Sequence, residues 1–172
     1  MQAFLAGIEG RAFRIAQIAT RDREEALELV QETMMKLVQH YAQQDETEWK
    51  PLFYRILQSR IRDWQRRQTV RNRFRTWFAS HEEDGEEDAL AQFPDGAASE
   101  PSSRLENAQF MARLEHELGA LPYRQQQVFL LRVWEGLDIA QTAAAMQCSE
   151  SSVKTNHARA LEKLRAQLEA FR

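Results

Sequence analysis

The chain is poor in cysteine, glycine and proline. Its 172 residues include one cysteine, Cys148, six glycines and four prolines. A single cysteine excludes an intramolecular disulfide framework and a zinc site built on cysteines. The low glycine and proline content favours helices over a turn-rich β fold. No run of about 18 apolar residues is present, so we predict that the chain does not insert into a membrane.

The N-terminal segment also lacks the continuous apolar stretch of a secretory signal. Glu9 and Arg11 interrupt its apolar residues, so no signal peptide is expected. The sequence therefore predicts a cytoplasmic protein.

Charge is distributed unevenly along the chain, although the formal net charge is only −3. Residues 50–78 contain nine bases and one acid, whereas residues 79–103 contain eight acids and no base. A basic segment beside an acidic one indicates a polyanion-binding surface followed by a solvated spacer. Acidic residues mixed with Ala, Gly, Pro and Ser bury little apolar surface, so 79–103 is expected to be flexible.

Apolar residues recur at spacings of three and four on both sides of the acidic segment, which predicts amphipathic helices. Asp22 is a suitable N-cap, and Pro51 suits the first turn of a helix. The prediction is an all-α fold with two small helical domains, 1–78 and 104–172, joined by a flexible acidic linker at 79–103. The predicted helices cover 3–20, 23–41, 51–75, 105–119, 123–134, 138–146 and 150–168.

The last two predicted helices are joined by a short polar turn, which is typical of a helix-turn-helix. Ala143 is small enough for two helices to cross closely, Val153 would pack the second helix on the first, and Ser149 could cap the second helix. In this motif the N-terminal residues of the second helix face the DNA major groove. A plain helical hairpin with a polar outer face is the alternative.

The basic segment 49–78 interleaves arginines with aromatic residues. Arginines supply affinity for phosphates, and aromatic rings can stack on unpaired bases. We therefore interpret the arginine excess as a polyanion-binding helix. For the aromatic rings, burial in a hydrophobic core is the favoured alternative to stacking.

Three segments, in a fixed order, carry a family resemblance. They are DREEALELVQETMMKL at 22–37, LFYRILQSRIRDWQRR at 52–67, and the segment 121–165, which opens with LPYRQQQVFLLR. In this order they resemble regions 2.2, 2.3–2.4 and 4 of a bacterial sigma factor of the extracytoplasmic-function (ECF) type. The chain departs from that family at Ser59, where Asn is usual, and at Gln147, where Gly is usual.

The resemblance implies a dissociable subunit that lends promoter specificity to the RNA polymerase core. Promoter DNA is then a partner, and the family often pairs with an anti-sigma protein. No cofactor, metal ion or catalytic residue is implied.

Three sites follow from the resemblance. Docking on core polymerase is assigned to Glu28, Leu29, Gln31, Glu32 and Met35. Binding of the −10 element as it melts, together with the loop at 42–50, is assigned to Trp49, Lys50, Ser59, Arg60, Asp63, Arg66 and Arg67. Reading of the −35 element as duplex is assigned to Ser151, Ser152, Lys154, Thr155, His157 and Arg159.

Two other classes of function are weighed against this one. A helix-turn-helix transcriptional regulator that acts without polymerase would bind duplex DNA tightly by itself, and the first two motifs would then have no role. An enzyme is disfavoured, because the sequence shows no carboxylate pair beside a nucleophile, no Gly-rich phosphate loop and no metal-ligand spacing. We therefore predict a non-enzymatic transcription factor of the sigma type.

Overall fold

The described part of the chain is built from α-helices. The computed structural model describes the backbone of residues 1–78 and 101–169, and the side chains of residues 1–74 and 108–169. No strand occurs in these two stretches, which confirms the prediction of an all-α fold. The helices are α1 (Gln2–Thr20), α2 (Arg23–Tyr41), α3 (Glu46–Phe78), α4 (Pro101–Ala120), α5 (Tyr123–Phe129), α6 (Ile139–Met146) and α7 (Glu150–Glu169), with a π-helical turn at Leu130–Trp134 directly after α5.

The junction between α1 and α2 forms as predicted. Arg21 adopts a left-handed conformation with φ of 56°, which ends α1. Asp22 then caps α2, because its carboxylate accepts hydrogen bonds from the backbone N–H groups of Glu24 at 2.9 Å and Glu25 at 3.0 Å. The short connection makes α1 and α2 an antiparallel pair.

The start of α3 differs from the prediction. The helix begins at Glu46, so Pro51 lies inside it and not in its first turn. The cause is Asp45, whose carboxylate accepts hydrogen bonds from the backbone N–H of Thr47 at 2.9 Å and from its hydroxyl at 2.7 Å. These bonds start the helix five residues before the proline. Pro51 has no N–H, so the carbonyl of Thr47 receives no bond from it.

Helix α4 begins earlier than the predicted helix at 105–119. Residues 101–103 already form the first turn of α4, and proline is well suited to that position because its missing N–H is not needed there. Residues 79–100 lie outside the described part, so the flexible linker stays a prediction. The boundaries 1–78 and 104–172 also stay a prediction.

The helix-turn-helix forms from α6 and α7. Asp138 and Gln141 make a complete capping box at the start of α6. Ser149 caps α7 as predicted, since its hydroxyl accepts a hydrogen bond from the Ser152 N–H at 3.2 Å. Ala143 and Val153 are buried where the two helices pack together. The turn between them requires Gln147 in a left-handed conformation with φ of 51°.

The halves on either side of residues 79–100 share one hydrophobic core. Helix α3 packs against α6, and α1 packs against α4 and α5. Phe53 and Leu57 from the first half and Leu118, Leu130 and Leu131 from the second are among its fully buried side chains. The second half therefore completes the core that the first half begins.

The left-handed Gln147 gives a prediction about stability. A non-glycine residue in this conformation costs about 1–2 kcal/mol, which glycine avoids at some entropic cost in the unfolded chain. We expect Gln147→Gly to raise the free energy of unfolding by about 1 kcal/mol in urea denaturation. Ala158→Gly, at an exposed position inside α7, is the matched control and should lower it by about 0.5–1 kcal/mol. An equal decrease in the free energy of unfolding in Gln147→Gly and Ala158→Gly would show that the turn at Gln147 is not strained.

Candidate nucleic-acid and polymerase interface

A pocket opens where α2 passes into α3. Its volume is about 580 Å³, within the range of pockets that hold small organic groups. The loop 42–45 contributes Gln44 to its lining, and α6 contributes Gln141. The lining residues are Tyr41, Gln44, Thr47, Glu48, Pro51, Leu52 and Gln141.

A stripe of arginines leads away from this pocket along α3. Arg55, Ser59, Arg62 and Arg66 follow one another at spacings of four, three and four, so they share one side of the helix. Arg55 and Arg66 are exposed, whereas Ser59 and Arg62 are half-buried. We call these four residues the arginine stripe. It places positive charge in line with the pocket, as a nucleic-acid backbone would require.

The predicted −10 residues divide between this surface and the interior. Asp63, Arg66 and Arg67 are exposed on α3, with Arg66 at 4.0 Å from Asp63. Arg60 is half-buried and pairs with Glu32 of α2 at 3.4 Å. Trp49, in contrast, was predicted as a DNA contact and is buried. Its ring packs on that of Phe4 at 5.8 Å between centroids.

Lys50 is also turned away from a nucleic-acid surface. Its ammonium lies 3.5 Å from the carboxylate of Glu135 and donates a hydrogen bond to the Glu135 main-chain carbonyl. Arg11 lies on the other side of this carboxylate at 3.3 Å. The Tyr54 hydroxyl is buried beside it, and burial first, then the negative charge of Glu135, raises the pKa of Tyr54.

The aromatic residues of the basic helix are mainly core residues. Phe53 and Tyr54 are fully buried, with rings 5.4 Å apart in an edge-to-face arrangement. Trp64 is partly buried against the core, whereas Phe74 is exposed. The exposed surface of α3 is therefore formed mainly by charged and polar side chains, with Phe74 as an exposed ring near its C-terminal end.

The predicted polymerase-docking residues all lie on α2, and all but one of them are at least partly exposed. Glu28, Gln31 and Met35 are exposed, and Glu32 is half-buried by its pair with Arg60. Leu29 was assigned to the same docking site, but only 2% of it is exposed, so it belongs to the core and not to the exposed surface of α2. The exposed apolar residues beside Met35 are Leu27 and Val38.

The predicted −35 residues occupy the start of α7. The helix turns Val153, Ala160 and Leu164 into the core, which leaves Ser151, Lys154, Thr155 and Arg159 exposed. Ser152 is half-buried, and its hydroxyl and main-chain carbonyl both accept hydrogen bonds from the Asn156 amide. The Ser152 side chain is thus held by its neighbour one turn later.

His157 does not share the exposed face of α7. Its Nε2 atom is buried and has no hydrogen-bond partner among the described residues. Burial, together with the positive charge of Arg132, lowers the pKa of His157. The residue is half-buried, and its Nε2 atom is not exposed for the predicted DNA contact in this structure.

Comparison with known families identifies the two halves. The family model for sigma-70 region 2 matches residues 3–71, and the model for sigma-70 region 4 matches residues 111–164. Together these matches cover more than half of the chain. The chain belongs to the sigma-70 family, as a sigma factor of the ECF type.

A solved structure has the same fold as this sigma factor. It is the co-crystal structure of the sigma factor RpoE from Bartonella quintana with the anti-sigma factor NepR. The two sigma chains share 20% identity with a TM-score of 0.68, and the alignment covers all of both. A comparison with curated proteins gives no match.

The identification decides between the functions weighed above. Sigma factors direct core RNA polymerase to promoters and initiate transcription as regulatory subunits. A helix-turn-helix regulator that acts without polymerase would leave the region 2 match at 3–71 without a role. Among the helices of the described part, none combines the length and the apolar character that a membrane crossing needs.

Sequence reasoning missed Tyr41 and Gln141 as neighbours of one pocket, and Arg55 and Arg62 as members of the stripe. The spacing of Arg55, Arg62 and Arg66 along one helix was a usable signal for the stripe. No local pattern could have placed Gln141, which reaches the pocket from a helix about 90 residues further along the chain.

The buried Nε2 atom of His157 gives a prediction about pH. Because the folded-state pKa is below 6.5, the unfolded chain binds more protons, and stability falls as pH drops through this range. We expect the free energy of unfolding to fall less between pH 7.5 and pH 5.5 in His157→Gln than in the unchanged protein. His40→Gln, at an exposed position, is the control. An unchanged pH slope in His157→Gln would show that the ring faces solvent and is available to DNA.

Proposed function

We propose that this sigma factor captures a base of the melted −10 strand in the pocket beside the arginine stripe, docks on polymerase through α2, and reads the −35 element with α7. The observation that carries the proposal is the alignment of the pocket with the stripe. Extruding a base costs a few kcal/mol, which a pocket with polar groups can offset. Gln44, Thr47 and Glu48 supply such groups, and Arg55 is one helical turn away to bind the phosphates.

The surface proposed for polymerase docking is the exposed side of α2. We call it the α2 face and define it by Leu27, Glu28, Gln31, Met35 and Val38. Exposed apolar residues rimmed by acidic and amide groups suit a protein partner with basic residues around an apolar contact. Glu32 belongs to its edge, because its carboxylate is already paired with Arg60.

The protein is proposed to act in the cytoplasm, where polymerase and promoter DNA are found, and to carry out no catalytic step of its own. An anti-sigma protein is proposed as a further partner. The solved relative supports this partner, because it was crystallised with an anti-sigma factor.

Met35 provides the test of the α2 face, because 59% of its side chain is exposed at the centre of that face. We expect Met35→Asp to weaken binding to core polymerase about tenfold, since it places a charge in an apolar contact. Val70→Asp is the control, because Val70 is similarly exposed on the distal part of α3. A fluorescence titration with core polymerase measures both. Unchanged affinity of Met35→Asp, with unchanged helix content, would contradict the assignment.

The start of α7 provides the test of −35 reading. Lys154→Ala and Arg159→Ala should weaken binding to all −35 sequences alike, because phosphate contacts carry no sequence information. Each substitution should also reduce the number of counterions released on binding by about one. Ser151→Ala should change which −35 sequences are preferred, because side chains at this position reach base edges. Lys163→Ala removes the same charge from a position that is opposite Lys154 on α7 and beyond the predicted −35 residues, and it should change neither property. A selection from randomised −35 duplexes distinguishes these outcomes.

A further inference from the structure

Two residues on the proposed −35 surface are joined by hydrogen bonds. The Asn156 amide donates to the Ser152 main-chain carbonyl at 2.8 Å and to the Ser152 hydroxyl at 3.3 Å. Both residues are half-buried and lie one turn apart on α7, on the side where Thr155 and Arg159 are exposed. We call Ser152 and Asn156 the recognition pair. It includes Asn156, which is not one of the residues assigned above to −35 reading.

The main-chain carbonyl determines which way round the Asn156 amide lies. A carbonyl oxygen can only accept a hydrogen bond, so the amide atom that faces it is the nitrogen, Nδ2. An amide nitrogen carries two protons and accepts no bond, so Nδ2 is also the donor toward the Ser152 hydroxyl oxygen. The amide cannot reverse its orientation without losing both hydrogen bonds.

The other end of the amide, the oxygen Oδ1, is left as an acceptor. Among the described residues none donates a hydrogen bond to it, and it is not one of the buried polar atoms that lack a partner. It is therefore accessible to a bound molecule. Because an amide oxygen only accepts hydrogen bonds and both Nδ2 protons are already used, Asn156 offers a bound molecule an acceptor and no donor.

The Ser152 hydroxyl is left as a donor. Its oxygen already accepts the bond from Asn156, and no group in the described part of the chain accepts its proton. A hydroxyl that accepts one hydrogen bond is polarised by it and becomes a better donor in the next. The recognition pair therefore offers one donor, the Ser152 hydroxyl, together with one acceptor, Asn156 Oδ1.

The neighbouring hydroxyls do not have a defined polarity of this kind. The hydroxyl oxygens of Ser149 and Ser151 lie 3.0 Å apart, and either of them can be the donor. Ser151 can therefore donate a hydrogen bond to a base or accept one from it. The recognition pair differs from Ser151 because the direction of its hydrogen bonds selects between bases.

We propose that the recognition pair reads an adenine in the major groove of the −35 element, and that Asn156 is the residue that distinguishes adenine from guanine. Adenine presents the N7 acceptor and the N6 amino donor, whereas guanine presents two acceptors, N7 and O6. Ser152 donates to N7, and Asn156 Oδ1 accepts from the amino group. Guanine would place its O6 against Oδ1, where two acceptors repel each other. This inference rests on the proposed reading of the −35 element by α7.

The experiment uses the full-length protein to select duplexes from a library that is randomised over the −35 element. At one position we expect the unchanged protein to enrich adenine over guanine about tenfold, which is a usual effect of one mismatched base pair. Asn156→Ala should reduce this ratio to about twofold or less, because both purines have N7 and the Ser152 donor remains. Ser152→Ala should lower the enrichment of adenine over cytosine at the same position, because cytosine keeps an amino group for Oδ1.

Gln167→Ala is the matched control, because it removes an amide from an exposed position near the C-terminal end of α7. It should leave every base ratio unchanged. A purely structural role of Asn156 would lower the affinity of Asn156→Ala for all duplexes without changing the adenine-to-guanine ratio, and that result would overturn the inference. Enrichment of a base other than adenine at the position that responds to Ser152→Ala would also contradict it. If the unchanged protein enriches no −35 sequence, the proposed −35 reading itself fails, and this inference fails with it.

Discussion

Burial of the Glu135 carboxylate is the constraint on which the relation between the two halves depends. A carboxylate removed from water is costly unless cations and donors surround it. The cations here, Arg11 and Lys50, both come from the opposite half of the chain. The position of region 4 on region 2 is therefore fixed by charge as well as by apolar packing, and a shift of α6 along α3 would leave this carboxylate without its partners.

Local features of the fold followed from the sequence because they depend on neighbouring residues. Asp22 and Ser149 cap the helices they were expected to cap, since a capping residue acts within three positions of itself. The expectation that Pro51 lies in the first turn of α3 was wrong. Asp45 starts α3 earlier, and the later proline is tolerated inside the second turn of the helix. Two competing helix-start signals could not be ranked from sequence alone.

The sites were harder to predict because they combine residues distant in sequence. Leu29 and Trp49 belong to segments that match the family, but a motif does not show which side of a helix is covered. Only the packing of α1 and α3 decides that Leu29 is buried while Met35 is exposed. His157 faces Arg132 for the same reason. The family resemblance points to particular helices, and tertiary contacts decide which residues on those helices are exposed.

The contact between the halves combines buried ion pairs and amide pairs with apolar packing. Buried ion pairs and amide pairs fix the position of one half on the other. Their net contribution to stability is small, because the same groups form hydrogen bonds with water when they are exposed. A contact made only of apolar groups of the same area would resist opening more strongly. Gln58, Gln127 and Glu135 thus specify where region 4 lies on region 2 while adding little to the net stability of the contact.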